Sequence, residues 1–184
     1  MKKGPIEDRS WRKWLTARVA TADRLHGYAV EDDLACHYTP SEVLFLALTG
    51  RLPDEACRDR LHRALVQLGH TSIAEAPVHA AVLARLCGAE VGGVLQTGLL
   101  ALVEQARALV SRWRAGEPVP SLVAAGLDEL KALGVEDDAQ LVTFMVSARI
   151  GPLAAEALAH RAGALKSYPM RLPDYVYEGA RDGS

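Results

Sequence analysis

The chain has 184 residues, of which 49% are hydrophobic and only 5% are aromatic, and its formal net charge at pH 7 is −2. This length suits one ordinary domain with a sizeable core, since domains commonly contain about 100 to 200 residues. Interleaved acidic and basic residues argue against nucleic acid or an anionic membrane as a partner. Helix-forming Ala and Leu dominate the apolar residues, so we expect an all-α fold.

Three further features predict a cytoplasmic protein without a metal site. Residues 1–8 are basic and then acidic, with no apolar core of the kind found in a signal peptide. The cysteines at 36, 57 and 87 lack Cys-x-x-Cys spacing, so we expect reduced, partly buried thiols. No apolar run in the sequence reaches the ~20 residues of a membrane span. The long Leu/Ala-rich region is interrupted by Arg85, Glu90, Glu104 and Arg107.

Helix start and stop signals predict a succession of helices. Ser10 caps a first helix, which Gly27 ends after Leu25. Residues 39–42, Thr-Pro-Ser-Glu, form a capping box, and Gly50 closes the apolar run that follows. We therefore predict a short helix that is enclosed by others. Further helices are predicted from about residues 53, 77, 91, 121 and 137.

One linker and one tail interrupt this helical pattern. Residues 115–120 form an internal linker, because Pro118 and Pro120 cannot continue a helix. Residues 163–184 are rich in Tyr and Pro and predict an extended C-terminal arm. The whole chain, residues 1–184, is predicted to form a single domain.

Several short motifs, in order, resemble those of citrate synthases and citryl-CoA lyases. They are His26-Gly27-Tyr28, the segment from Glu42-Val43 to Gly50-Arg51-Leu52-Pro53, Gly69-His70 and Ser147-Ala148-Arg149-Ile150-Gly151. The resemblance covers roughly residues 10–105 and 121–178. It implies a multi-helical, citrate-synthase-like large domain that forms a homodimer. Residues 110–121 stand where that family has most of its small domain, which implies that the small domain is largely deleted.

The residues that carry that family's chemistry do not appear at the matching positions. In the family, an aspartate takes a proton from the acyl-CoA methyl group while a histidine stabilises the enolate. This sequence has no histidine between His79 and His160, and Val123 stands where the aspartate is expected. We therefore predict no catalytic residue of the family type. Glu104 is a candidate replacement base, although Arg107 offers it a plain ion pair.

The resemblance also implies three substrate-binding residues. His70 matches a histidine that hydrogen-bonds the keto-acid substrate, Arg149 matches an arginine that grips a substrate carboxylate, and Arg171 would be a further carboxylate-binding arginine. The alternative for His70 is a solvated loop side chain, and for Arg149 an ion pair between helices. His79, early in an apolar helix, is interpreted as a packed, hydrogen-bonded histidine.

Three functions agree with these observations. The first is a non-catalytic, citrate-synthase-like protein that acts as a homodimer or beside a full-length citrate-synthase-like chain and binds a di- or tricarboxylate. The second is an enzyme, or an enzyme subunit, that forms or cleaves a carbon–carbon bond on a CoA thioester. The third is a small-acid sensor or regulatory module. No cofactor is expected except coenzyme A under the second reading.

Overall fold

The computed structural model describes residues 23–165 and is 71% helical. The predicted all-α fold is confirmed. The described residues also contain one short β-hairpin. In chain order the elements are strands β1 (Arg24–Leu25) and β2 (Tyr28–Ala29), a π-helical turn (Val30–Leu34), and helices α1 (Ala35–His37), α2 (Pro40–Thr49), α3 (Glu55–Gly69), α4 (Ala76–Leu86), α5 (Val91–Arg114), α6 (Ser121–Ala132) and α7 (Asp138–Ala159). Residues 115–120 connect α5 to α6, as predicted.

The chain divides into two compact units. The first comprises Met1–His70 and Arg107–Ala148, and the second comprises Thr71–Ala106 and Arg149–Ser184. Helices α5 and α7 each contribute residues to both units. The single domain predicted over residues 1–184 stays a prediction, and most of the predicted C-terminal arm, from residue 166, lies outside the described residues.

The beginning of the described chain corrects one predicted boundary. The helix expected to run to Leu25 is replaced there by a hairpin, in which Arg24 pairs with Ala29 and Leu25 with Tyr28. His26 and Gly27 form its turn with φ values of 50° and 92°, and two positive φ values are typical of a type I′ turn. This glycine therefore reverses the chain instead of ending a helix. Residues 10–22 of the predicted helix lie outside the described residues.

The capping box at the start of α2 is confirmed. The Thr39 backbone N–H donates to Glu42 Oε2 at 2.8 Å, and the Glu42 N–H donates to Thr39 Oγ1 at 3.4 Å. Gly50 ends the helix in the left-handed conformation, with φ 79°. Phe45 and Leu46 are buried, whereas the other apolar side chains of α2 are only partly covered. The prediction that other helices enclose α2 is therefore met on one face only.

Close packing of α3 against α6 forms much of the first unit's core. Leu61, Ala64 and Leu68 give α3 a buried stripe, because they recur at three- and four-residue steps. Gly126 of α6 lies directly on this stripe: a Cβ atom there would be 2.6 Å from Leu68 Cγ and 3.1 Å from the Ala64 carbonyl oxygen. The absence of a side chain at this position lets the two helices approach.

A second glycine allows close packing within the second unit. A Cβ atom on Gly98 of α5 would lie 2.7 Å from Leu153 Cδ2 of α7 and 3.0 Å from Ala81 Cβ of α4. Beyond α7 the chain returns to the end of α4, where the Leu165 N–H donates to the Leu86 carbonyl at 2.9 Å. Three helices and the returning segment therefore pack together in this unit.

Helix α7 is long and apolar enough to cross a membrane by length and composition alone. A third of its most apolar window (33%) is buried in the structure. The prediction that no apolar run is long enough to span a membrane did not take this helix into account. The core helix of a soluble protein meets the same two criteria, and a charged arginine, Arg149, lies in α7, where it would be costly in a lipid core.

The cysteines are more exposed than expected. Cys36 and Cys87 are exposed and Cys57 is partly buried, and all three are free thiols. Cys87 is the C-cap of α4 and does not lie on its buried face. A hydrogen bond to Asp54 raises the pKa of the Cys57 thiol, with further contributions from burial and from the Asp54 charge. The raised pKa disfavours the thiolate that a reactive cysteine requires.

Replacing Gly98 with alanine should destabilise the protein by about 1 to 3 kcal/mol, because the new methyl group overpacks against Ala81 and Leu153. Gly92→Ala, in the same helix, is the matched control, since a Cβ atom there meets nothing within 4 Å. We expect the control to change stability by less than about 0.5 kcal/mol. Urea unfolding followed by circular dichroism measures both; equal effects would contradict the close packing at Gly98.

The stability of the protein should fall in acid partly through Glu42. Burial raises the pKa of Glu42, but hydrogen bonds from Thr39 and the nearby Arg58 guanidinium lower it. Arg58 Nε lies 2.7 Å from Glu42 Oε1. The lowering effects outweigh burial and leave the pKa below its ordinary value of 4.5. A depressed folded pKa stabilises the protein above the unfolded pKa, and this contribution is lost as the pH falls through the folded pKa.

The Glu42→Gln variant tests this pH dependence. At pH 7 it should be about 1 to 2 kcal/mol less stable than the wild type, because charge-assisted capping bonds are lost. The difference should shrink below pH 4.5, as the pH falls toward and through the lowered pKa of the folded wild-type carboxylate. Denaturant unfolding at a series of pH values provides the measurement, and a constant difference from pH 7 to pH 3 would refute the assignment.

Candidate functional site

A buried arginine lies at the centre of the candidate site. Arg149 belongs to α7 and to the second unit, and it is 2% exposed. Among the described residues, only Glu42 and Arg149 are polar or charged and buried. A buried guanidinium needs a counter-charge and hydrogen-bond acceptors, because the protein interior cannot replace its hydration.

Glu75 and Gln105 meet that need. Arg149 Nη1 donates to Glu75 Oε2 at 2.9 Å and to Gln105 Oε1 at 3.0 Å. Gln105 Nε2 in turn donates to Glu75 Oε2 at 2.7 Å. These three bonds form a closed ring between the N-cap of α4, the middle of α5 and the middle of α7. Bonds of this kind are stronger than neutral ones because the donor or the acceptor is charged.

The turn before α4 holds Glu75 in place. Glu75 Oε1 accepts from the Ser72 N–H at 3.1 Å, the Glu75 N–H donates to the Ser72 carbonyl at 2.9 Å, and Ser72 Oγ accepts from the Ala74 N–H at 3.2 Å. One carboxylate oxygen therefore fastens the turn while the other binds Arg149. The Glu75 side chain is 26% exposed and that of Arg149 3%, so the glutamate is the more exposed member of the pair.

The chemistry of this cluster favours holding a charge over transferring a proton. Arginine supplies hydrogen-bond donors and a positive charge, and the amide of a glutamine does not titrate. General acid–base catalysis requires a group that exchanges a proton near the working pH. Within the cluster only Glu75 carries a carboxyl group, and both of its oxygens accept hydrogen bonds.

The other predicted site residues lie elsewhere. His70 is the exposed C-cap of α3 and belongs to the first unit, whereas Arg149 belongs to the second. Their convergence on one substrate stays a prediction. Glu104 is exposed on α5, one residue before Gln105, and its role as a replacement base also stays a prediction. Arg171 lies outside the described residues.

Two members of the cluster, Glu75 and Gln105, were not predicted from the sequence. One local signal was present, because residues 72–75, Ser-Ile-Ala-Glu, have the Ser-x-x-Glu spacing of a capping box before an apolar run. That signal predicts the bond from Glu75 Oε1 back to Ser72. It carries no information about Arg149, since this contact joins residues 74 positions apart.

The histidine interpreted as packed and hydrogen-bonded is only partly so. His79 of α4 is partly buried, but its Nδ1 atom is buried and has no hydrogen-bond partner in the part of the chain described. The predicted hydrogen bond is therefore absent at this atom. Over residues 23–165, no group of three or more His, Cys, Asp or Glu side chains is arranged to hold a metal ion.

The fold is similar to that of citryl-CoA lyase from Hydrogenobacter thermophilus. The superposition has a TM-score of 0.53 at 15% sequence identity and covers 87% of this chain and 91% of that chain. No protein-family model and no curated protein matches the sequence. At this identity the likeness shows the fold alone, which is all-α and of the citrate synthase and citryl-CoA lyase type. The replacement of a small domain by residues 110–121 stays a prediction.

A double-mutant cycle should show strong coupling between Glu75 and Arg149. Comparing Glu75→Gln, Arg149→Met and the double variant, we expect a coupling energy of about 1 to 3 kcal/mol, because each single change leaves a poorly solvated partner. The control is the exposed pair Arg112–Glu117, whose atoms are 3.6 Å apart. Its coupling should stay below about 0.5 kcal/mol.

The four proteins of each cycle are compared by urea unfolding at pH 7. Equal coupling in the two pairs would mean that Glu75 does not supply the counter-charge that Arg149 requires.

Proposed function

We propose that this chain is a non-catalytic protein of citryl-CoA-lyase-like fold that acts as a subunit, either in a homodimer or beside a full-length citrate-synthase-like chain. The observation that carries the proposal is that Arg149 already makes hydrogen bonds to side chains of this protein. The resemblance implies that this arginine grips a substrate carboxylate, but Glu75 and Gln105 already occupy its Nη1 atom. A substrate carboxylate would first have to displace an internal one.

The placement of proton-transfer groups supports the same proposal. All six histidines of the sequence lie in the described part of the chain, and none falls between His79 and His160. The position that matches the family's aspartate holds Val123, which is 2% exposed in α6. A buried valine packs against its neighbours and cannot accept a proton from a substrate.

Exposed apolar side chains on α5 support a role in association. Leu99 and Leu100 are 40% and 64% exposed, and Val91, at the start of the same helix, is 45% exposed. Leu99 and Leu100 are adjacent in the chain, and exposed apolar residues that form a patch commonly mark a contact with another protein. These residues are the part of the second unit on which we expect a subunit to bind.

A second candidate function, a small-acid sensor, is favoured by the solvent access of one side chain. The carboxylate that neutralises Arg149 belongs to the partly exposed Glu75 and not to a second buried residue. An external di- or tricarboxylate could therefore compete for the guanidinium without any chemistry taking place.

Assays of the isolated protein test the first proposal. With acetyl-CoA and oxaloacetate, and separately with citryl-CoA, we expect no turnover above the protein-free background, because no acid–base pair of the family type is present. A citryl-CoA lyase assayed in parallel is the positive control. Turnover that is lost in His70→Ala or Glu104→Ala would contradict the proposal and support an enzyme.

The same preparation should be examined by sedimentation velocity. We expect a mass of at least twice the 19.8 kDa monomer, or an increase in mass on adding a longer citrate-synthase-like chain. A monomer under both conditions would rule out the subunit role, whatever the assays show.

A further inference from the structure

We infer that Glu75 is a built-in carboxylate that closes a carboxylate-binding site at Arg149, and that an external small carboxylate reaches Arg149 only when Glu75 leaves. The inference rests on the second candidate function, binding of a small acid without chemistry. It adds which side chain closes the site and which part of the chain is released when the site opens.

The donors around Glu75 Oε2 already have the arrangement of a carboxylate site. Arg149 Nη1 and Gln105 Nε2 both point an N–H at this one oxygen, at 2.9 and 2.7 Å. The carboxylate group of Glu75 is chemically the same as that of acetate, succinate or citrate. Groups that donate hydrogen bonds to the internal carboxylate are therefore suited to donate to an external one of similar size.

The burial of the pair decides how the exchange must occur. The side chain of Arg149 is 3% exposed and that of Glu75 26%, so the glutamate can turn toward solvent while the arginine cannot. An uncompensated guanidinium in the interior is costly, which keeps Glu75 in place when no other anion is present. Departure of Glu75 and binding of the external carboxylate are consequently coupled. The ligand shifts the equilibrium between the closed and open states only by its affinity for Arg149 in the open state.

Departure of Glu75 would also release the turn before α4. Its Oε1 atom accepts from the Ser72 N–H at 3.1 Å, and no external acetate bound at Arg149 would restore this bond to the chain. Residues 72–74 would keep the 3.2 Å bond from the Ala74 N–H to Ser72 Oγ but would lose their bond to the Glu75 carboxylate. The exchange thereby converts binding of a small acid into local loosening of one turn.

Chemical rescue of Glu75→Ala tests the inference. This variant removes the carboxylate that Arg149 Nη1 contacts and creates space for a small anion. We expect its melting temperature to fall by about 10 °C. Sodium acetate or formate should restore it saturably, and sodium chloride at equal ionic strength should not. If the variant does not fold alone, refolding yields in acetate and in chloride provide the same comparison.

Two matched variants separate the site from a general salt effect. Glu75→Gln should not respond to acetate, because its carboxamide still fills the space. Glu75→Ala combined with Arg149→Met should not respond either, because the guanidinium is absent. Hydrogen exchange at the Ser72 amide should be faster in Glu75→Ala, with and without acetate. Unchanged exchange at Ser72 would overturn the release of the turn.

The wild type distinguishes failure of this inference from failure of the sensor function. We expect wild-type affinity for acetate and citrate to be at least about tenfold weaker than that of Glu75→Ala, because Glu75 competes. Equal affinities would overturn closure by Glu75 and leave small-acid binding standing. A wild type that does not respond to millimolar citrate, beside a rescued variant, would support closure and rule out the sensor. A folded Glu75→Ala that responds equally to acetate and chloride would overturn the carboxylate site itself.

Discussion

Burial of the Arg149 guanidinium is the constraint to which the polar contacts of the second unit are adapted. A cation in the protein interior loses its hydration and must recover that free energy from a counter-charge and from acceptors. Glu75 and Gln105 provide both, from the N-cap of α4 and from α5. The apolar packing at Gly98 brings the same three helices together. Polar and apolar contacts in this unit therefore favour one arrangement of its helices.

The other buried charge, Glu42, is stabilised in a different way. One partner, Thr39, is three residues away in the capping box. The other partner is an exposed arginine, Arg58. In the Glu42–Arg58 pair the more exposed member is the arginine, with 46% of its side chain exposed. In the Glu75–Arg149 pair the more exposed member is the glutamate. In both pairs one member keeps part of its hydration, which lowers the cost of burying the other.

The range of each interaction along the chain explains what could be predicted from the sequence. The start of α2 was predictable because Thr39 and Glu42 are three residues apart, and the fold class because helix caps and weak motifs agree in order. Gly27 was misassigned, since a glycine after an apolar pattern can end a helix or turn a hairpin. The cluster around Arg149 could not be predicted, because its contacts join residues 30 to 74 positions apart.

The likeness to citryl-CoA lyase at 15% identity cannot depend on many shared side chains. In this chain the architecture is supplied by helix caps and by small residues where helices cross, such as Gly98 and Gly126. The glycine contacts require no titratable group, and the cap that does use one, Glu42 with Thr39, lies at the start of α2 and not at Val123 in α6. The core can therefore accommodate Val123 at a position where the resemblance implies a base, and the fold is unaffected. Architecture and chemistry thus depend on different residues, and a conclusion about function has to come from the site around Arg149.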